Sequence, residues 1–339
     1  MSEQPFVSVI VPAFNTGEYL GRCLDALSES RYENFEVLVV DDASTDGSVE
    51  ACRRRMDVIV LRLERQSGPS AARNHAARRA RGDILLFVDS DVVVRSDTIA
   101  RVAADFHQNP DVAAVFGSYD DAPGAENFLS QYKNLYHHFV HQRSSAEAST
   151  FWAGCGAIRR EAFEALGGFD QTRYRKPSIE DIELGYRMRR AGRRILLDKE
   201  LRVKHLKDWS LVSLIRADVF YRAVPWSKLM LEDGEIINDL NLRTAERVSA
   251  GLVVLSLLLL PPSIFMPALL PLVPLCWLII ILINHKLYLF FLKKRGPLFA
   301  GAVFPLQLLY YAYSAAAFAW FWCGFRLAGL GARLSRQRG

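Results

Sequence analysis

Two carboxylates one residue apart close an apolar run. In ILLFVDSDVVVRSD, five apolar residues, Ile84 to Val88, are followed by Asp89, Ser90 and Asp91. Like charges at the end of a buried strand need an offsetting partner. On a straight strand, positions i and i+2 point to the same side, so Asp89 and Asp91 are expected to face one ion together, with Ser90 turned aside. Such a pair suits a hard divalent cation, Mg2+ or Mn2+, completed by substrate phosphates. The cation would also neutralise a diphosphate leaving group. A lone D-x-D is weak evidence, and its plainer reading is a solvated strand end. It gains weight from a second acidic pair, Asp41-Asp42, which ends the earlier apolar run FEVLVVDD. The alternative for that pair is capping of the helix that follows STDGS. A third acidic group, Glu180-Asp181, opens SIEDIELGYRMRRAG, where carboxylates can simply stabilise the helix dipole. His137 and His141 have zinc-like i, i+4 spacing, but with no third ligand nearby an exposed helix face is the better reading.

The elements that must position these residues alternate. FVSVIVPAF, FEVLVVDD, VIVLRL, DILLFVDSD and VAAVFGSY read as strands. TGEYLGRCLDALSES, DGSVEACRRRM, GPSAARNHAARRARG and SDTIARVAADFHQN read as the helices between them. The third helix has Pro69 near its first turn and Gly82 past its end. This predicts an α/β fold with a Rossmann-like, mostly parallel sheet, right-handed crossovers and both faces covered. Ligands then collect beyond the carboxyl ends of the strands, where Pro12-Ala13-Phe14-Asn15, Asp41-Asp42 and Asp89-Ser90-Asp91 stand. Further on, a helix is expected over 125–142. FWAGCGAIRREAFEALGGFD should give a strand or turn, then a helix. SIEDIELGYRMRRAG should be a helix capped by Ser178, with Asp181 three residues on. RRILLD and LRVKHL read as two short strands.

Charge divides the 339-residue chain unevenly. After Glu246 there is no Asp or Glu, while nine Lys and Arg follow, so the rest carries −4 of a total of +5. A weakly acidic part joined to a basic, apolar tail points to a membrane protein with a cytoplasmic enzyme domain, and away from a nucleic-acid binder. The N-terminus, MSEQPFVSVIVPAFN, reads as a first strand and not as a signal peptide. Five scattered cysteines show no C-x-x-C pair, which fits reduced thiols in the cytoplasm. Residues 1–209 are expected to form the enzyme domain, 210–246 an amphipathic segment and linker, and 247–339 the membrane region with a basic tail. DWSLVSLIRADVFYRAVPWSKLML is either a core helix or, by its place before the spans, an interfacial helix on the bilayer. Val248 to Ile283 is 36 residues without a charge, too long for one crossing of a roughly 30 Å core. Pro261-Pro262 could turn a hairpin there, and Leu298 to Phe325 is a second uncharged run. Three spans are the best count, although they would place the basic tail outside, against the positive-inside rule. A re-entrant segment or a fourth crossing would remove that conflict.

Five blocks in order, VSVIVPAFN, VLVVDDASTDGS, GPSAARNHAARRARGDILLFVDSD, GCGAIRREAFEALGGFD and IEDIELGYRM, resemble the inverting family 2 glycosyltransferases of GT-A fold over about Val7 to Leu206. The resemblance implies that Pro12, Ala13, Asn15 and Asp42 hold the base and ribose of a nucleotide-sugar donor, with Ser90 and Asp89 also on the donor. It implies that Gly68 and Arg73 belong to the loop that closes over the nucleotide. For Arg73 a salt bridge to Asp89 is an even alternative, and Asn74 would pack or cap. It implies a Mg2+ or Mn2+ ion on Asp89 and Asp91, joined in some relatives by a histidine near His205. It makes Asp181 the general base and Glu180 its neighbouring helper or a structural residue. The acceptor side would be Trp152, Gly154, Cys155 and Gly156, with glycines letting backbone approach a sugar and Trp152 offering a flat face. Trp226 in YRAVPW echoes the Q-x-x-R-W signature of processive synthases, but the Gln is missing and the Arg displaced.

The expected function is therefore a membrane-anchored glycosyltransferase at the inner membrane. It would move a sugar from a UDP- or GDP-sugar to a lipid-linked or glycan acceptor, with its catalytic domain facing the cytoplasm. A polysaccharide synthase component is the alternative in the same class. A nucleotidyltransferase making the sugar nucleotide would also use an α/β sheet with metal carboxylates. It would show a Gly-rich phosphate loop near its N-terminus and need no membrane. Sugar, linkage and oligomeric state are left open by the sequence.

Overall fold

Val7–Ala13 (β1) and Phe35–Asp41 (β2) are buried along almost their whole length, as continuous Val, Ile and Leu runs require when both faces of a sheet are covered. The structure, a computed structural model, describes residues 4–52, 55, 57–234 and 243–336. It divides into two compact units, Met1–Trp209 and Ser210–Gly339.

In the first unit β1 pairs in parallel with β2 and, on its other side, with Ile84–Val88 (β4), while Ile59–Arg62 (β3) lies beyond β2. With Val92–Val93 (β5), Val112–Tyr119 (β6), Cys155–Arg159 (β7) and Arg194–His205 (β8), the order is β3-β2-β1-β4-β7-β6-β8-β5. The second half is mixed: β7 runs antiparallel to both β4 and β6, and β5 antiparallel to β8. The sheet is thus less parallel than the sequence suggests. Apolar periodicity does not encode direction, and the chain enters β7 beside the end of β6, with Gly156 opposite Phe116. RRILLD and LRVKHL, expected as two strands, form the single strand β8. It shifts register against β6 between Phe116 and Ser118, an irregularity that reads as a break in sequence.

The helices of this unit are Tyr19–Ser28 (α1), Ser48–Cys52 (α2), Pro69–Ala77 (α3), Thr98–Gln108 (α4), Phe128–Arg143 (α5), Arg160–Ala165 (α6) and Glu180–Arg190 (α7). The last residues of the expected helix DGSVEACRRRM, positions 53, 54 and 56, lie outside the described residues. Ser178 does not cap α7. The N-cap position is Ile179 with no side-chain cap, and Glu180 instead reaches back to accept the Ser178 N–H at 2.8 Å.

In the second unit, Leu211–Asp218 (α8), a π-turn over Val219–Ala223 and Val224–Asp233 (α9) run on from one another. Leu214, Leu229 and Met230 are buried, whereas Val212 and Phe220 are more than 60% exposed. The linker stretch 235–242 and tail residues 337–339 lie outside the described residues. Thr244–Ser263 (α10), Leu272–Ile283 (α11), His285–Arg295 (α12) and Pro297–Arg336 (α13) follow. Among the described residues two helices are long and apolar enough to cross a membrane, Thr244–Ser263 and the part of α13 from Pro297 to Phe325. The residues between them form a pair bent by 72°, so three crossings require that pair to count as one span. Pro261 and Pro262 do not make the hairpin. Both lie inside the last turn of α10, and the chain turns after Ser263. Polar side chains join the helices: Asn284 donates to Ser249 at 2.8 Å, and Tyr311 donates to Glu246 at 2.7 Å. Such bonds pack helices in a setting where apolar contact gives little preference.

At the foot of the sheet, buried Glu36 on β2 accepts from Ser8 Oγ (2.6 Å), Arg81 N (2.6 Å) and Arg81 Nε (2.9 Å). Burial pushes its carboxyl up, but these bonds outweigh it and hold the group below the usual range. Glu36→Ala should destabilise the first unit by about 1–3 kcal/mol at neutral pH. The sign follows from the lowered value: the contribution is present above about pH 4.3, the ordinary Glu value, and fades as pH falls below it. Thermal unfolding of wild type and variant across pH checks both.

Candidate active site

The ends of β1 and β2 are stitched together before any ligand is considered. Asn15 has a positive φ of 47°, a conformation Asn tolerates better than most residues. There its Oδ1 accepts Thr45 N at 2.8 Å while its own N–H donates to Ser44 Oγ at 3.1 Å. Asp41 accepts Ser44 N at 2.7 Å. Pro12 and Ala13 lie beneath, half-buried and buried. Asp42 is buried, and its two oxygens accept the N–H groups of Ser67 (2.7 Å) and Gly68 (2.8 Å). The residue expected on a nucleotide base is thus first the anchor of the loop before α3. Gly68 is required there: its φ is +89°, and a Cβ would fall 2.3 Å from Arg175 O.

Asp89, Ser90 and Asp91 do not continue β4 as a straight strand. They form a turn closed by Val92 N on Asp89 O at 3.0 Å, so the two carboxylates do not share one partner. Asp89 pairs with Arg73 Nη2 at 2.7 Å, and Asp91 Oδ2 lies 3.4 Å from His205 Nε2. Arg73, for which a nucleotide contact and a salt bridge to Asp89 were even alternatives, is buried and makes the salt bridge. Its Nη1 donates to Glu180 Oε1 at 2.9 Å, and its guanidinium lies 5.4 Å from the Phe169 ring centroid. Asn74 packs as expected, exchanging two hydrogen bonds with the Phe169 backbone at 2.8 and 3.0 Å.

Asp181, half-buried at the start of α7, accepts Ala153 N at 3.0 Å and its neighbour Ile182 N at 2.8 Å. Next to Ala153, Gly154 O accepts Asp89 N at 3.1 Å. Asp181 and Asp89 are therefore joined twice, through Ala153-Gly154 and through Glu180–Arg73. Burial first, and the adjacent Glu180 charge second, push the Asp181 carboxyl up to about 6, against the pull of Ala153 N–H and Arg73. Such a group is ionised at neutral pH yet more basic than an ordinary carboxylate.

Of the residues expected on the acceptor side, Gly154 and Gly156 pack closely against Trp152. A Cβ on Gly154 would lie 2.3 Å from Trp152 Cζ2, and one on Gly156 2.2 Å from Trp152 O, so their size makes room for the Trp152 turn. Trp152 itself is half-buried, edge-on to Tyr119 with ring centroids 4.9 Å apart. Cys155 is fully buried, and burial pushes its thiol up to about 12, which makes it inert. Trp226 belongs to the second unit, half-buried on α9. His137 and His141 are not on an exposed face: His141 is buried, its Nδ1 3.1 Å from Gly117 O, and the two rings are 4.0 Å apart against Trp152. The helix packs these rings on the sheet, which i, i+4 spacing alone does not reveal. Among the described residues no group of three or more His, Cys, Asp or Glu is arranged to hold a metal ion. Two residues near His205 carried no signal in the sequence: Asn134 on α5, and Tyr119, whose ring stacks on the imidazole at 4.3 Å.

Residues 8–167 match the family Glycosyl transferase family 2. The glycosyltransferase GlyG of Streptococcus pneumoniae is 37% identical over 123 residues, which are 35% of this chain and 40% of GlyG. The poly(ribitol-phosphate) beta-N-acetylglucosaminyltransferase TarS of Staphylococcus aureus is 41% identical over 103 residues, 29% of this chain and 18% of TarS. The chain therefore spans less than half the length of these relatives. Among solved structures, the mannosyltransferase PcManGT from Pyrobaculum calidifontis, in complex with GDP-Man and Mn2+, superposes with a TM-score of 0.60 at 21% identity. The match covers 94% of this chain and 88% of that one. That likeness establishes the GT-A fold.

Removing the buried cation tests the bridge. Arg73→Met should cost about 3–5 kcal/mol, because it leaves two carboxylates facing each other without an offsetting charge. Arg73→Lys should recover only part of this, since a point charge does not span both partners as the planar fork does. Thermal unfolding of the three proteins reads the order.

Proposed function

We propose that this chain, whose residues 8–167 belong to glycosyl transferase family 2, transfers one sugar from a UDP- or GDP-sugar to a lipid-linked acceptor with inversion at the anomeric carbon. The observation that carries the reading is Asp181: a carboxyl pushed up to about 6, held by Ala153 N–H, and fastened to the Asp89 turn from two sides. It takes the proton from the acceptor hydroxyl as that oxygen attacks. Glu180 keeps Asp181 in place through Arg73 and takes no proton itself.

The residues fit a divalent cation, Mg2+ or Mn2+. Asp91 and His205 offer an oxygen and a nitrogen 3.4 Å apart, and Asp89 keeps one oxygen clear of Arg73 in a side chain 34% exposed. Two protein ligands with substrate phosphates complete such a site. When bound, the cation neutralises the negative charge that builds on the departing nucleoside diphosphate. Gly68, Ser90 and the stitched ends of β1 and β2 form the cradle for the nucleotide, with Pro12, Ala13 and Asn15 beneath the base. Asp42 keeps that cradle rigid. Trp152, supported by Tyr119, borders the acceptor side. The second unit holds the enzyme at the inner membrane through Thr244–Ser263 and Pro297–Phe325. The exposed apolar side chains of α8 and the π-turn, Leu211, Val212 and Phe220, dip into the interface. Lipid-linked acceptors lie at the same surface, and nucleotide sugars reach it from the cytoplasm.

Purified protein in detergent, offered UDP- and GDP-sugars with Mn2+ or Mg2+, should hydrolyse one donor slowly and lose that activity in a chelator. Hydrolysis of none, or no effect of the chelator, contradicts the reading. Asp181→Asn should lower transfer by about 10²–10⁴-fold with donor affinity retained, and full-rate transfer by a folded variant removes the base assignment. Because the base acts in its ionised form, kcat/KM should rise tenfold per pH unit below about 6 and level off above it.

A further inference from the structure

β3 is the outermost strand of the sheet, and its Leu61 and Leu63, half-buried, pack on the cluster that holds Ala72 and Ala76 of α3. Beside these leucines lies a groove of about 620 Å3, walled also by Arg62, Arg65, His75 and Arg79. That volume suits a small ligand. Among the described residues its wall holds one carboxylate, Glu64, against three guanidinium groups. Arg62 lies 3.6 Å from buried Asp41. Exposed Arg65 and Arg79, and Arg78 next to them, have no carboxylate partner among the described residues. Arg79 Nη1 donates instead to His75 O at 3.4 Å, the end of its own helix. Burial first, then the charges of Arg79 and Arg78, push the His75 imidazole below its usual range. The groove is therefore positive and its charge is not offset from within. It shares no residue with those assigned to sugar transfer. At one end it reaches Ser67, whose N–H Asp42 holds at 2.7 Å.

We propose that this groove is a second ligand site of the first unit, one that takes a small organic phosphate, with the phosphate on Arg65 and Arg79 and the organic part against Leu61 and Leu63. Guanidinium groups match phosphate oxygens in paired hydrogen bonds and give up water more readily than an ammonium does. The leucine floor supplies apolar area that a bare inorganic anion would leave unused. His75 stands between the two, and a bound phosphate favours its charged form. The site is independent of the transfer chemistry, because none of its side chains touches Asp89, Asp91 or Asp181.

The test follows the titration of His75 by NMR of labelled histidine in the full-length protein, in detergent and with a chelator present. The signal is identified by its loss in His75→Gln. Adenosine diphosphate is the probe, and it should raise the His75 midpoint by about one pH unit. The double variant Arg65→Gln/Arg79→Gln should abolish that rise. Arg65→Gln alone, in the loop between β3 and α3, should raise the probe concentration needed for half of the effect by about tenfold, which keeps the test decisive should the double variant not fold. No rise with the probe, or a rise that survives the loss of these arginines, overturns the proposal. So does a rise given only by phosphatidylglycerol in mixed micelles, which would mark the groove as a lipid contact.

Discussion

The buried Arg73 guanidinium is the constraint on which the site depends. It is 4% exposed, with Asp89 on one side and Glu180 on the other. Burial works against its charge, but the facing carboxylates outweigh that and keep it firmly protonated. Through this one cation the turn after β4 is bound to the first residue of α7. Asp181 is the next residue along. Its position over the cleft is therefore set by a charge pair in the interior rather than by its own mobile side chain, as precise catalytic geometry requires.

A second connection runs through backbone. Ala153 N reaches Asp181 and Gly154 O reaches Asp89 N, so the chain entering β7 closes a ring of contacts that Arg73 began. The small residues of FWAGCG belong to this ring. They let the Trp152 indole fold over the turn, which explains their placement without any ligand. The same logic applies to Asp42, whose two oxygens hold Ser67 and Gly68. Several acidic and glycine residues here thus hold the loops in place, while Asp181 and the Asp91–His205 pair are those to which the proposal assigns chemistry.

The parallel half of the sheet was legible because β1, β2 and β4 are uninterrupted apolar runs separated by helices of amphipathic spacing. The direction of β7 and the continuity of β8 were not, since strand direction and a register shift leave no mark on residue pattern. Asp89, Asp91, Asp181 and His205 could be picked out by type and place. The pairing of Arg73 with Asp89 was one of two even readings of the sequence, but its second partner Glu180, 107 positions away, and the approach of Asn134 to His205 across 71 left no mark there. The straight-strand geometry assumed for Asp89 and Asp91 failed because a polar pair beyond a buried run is free to turn once pairing ends. In the membrane unit the apolar runs were evident, but the bend between α11 and α12 falls at Asn284, whose bond to Ser249 no hydropathy pattern reports.

The claim that one guanidinium serves both carboxylates is tested most directly by a double-mutant cycle on unfolding of the first unit, using Asp89→Asn, Glu180→Gln and the pair. With either single change Arg73 retains a hydrogen-bonded anion; with both it is left as a buried charge with none in hydrogen-bond contact. The account predicts that the double variant loses more stability than the two single losses together, by about 1–3 kcal/mol. Strict additivity would contradict it.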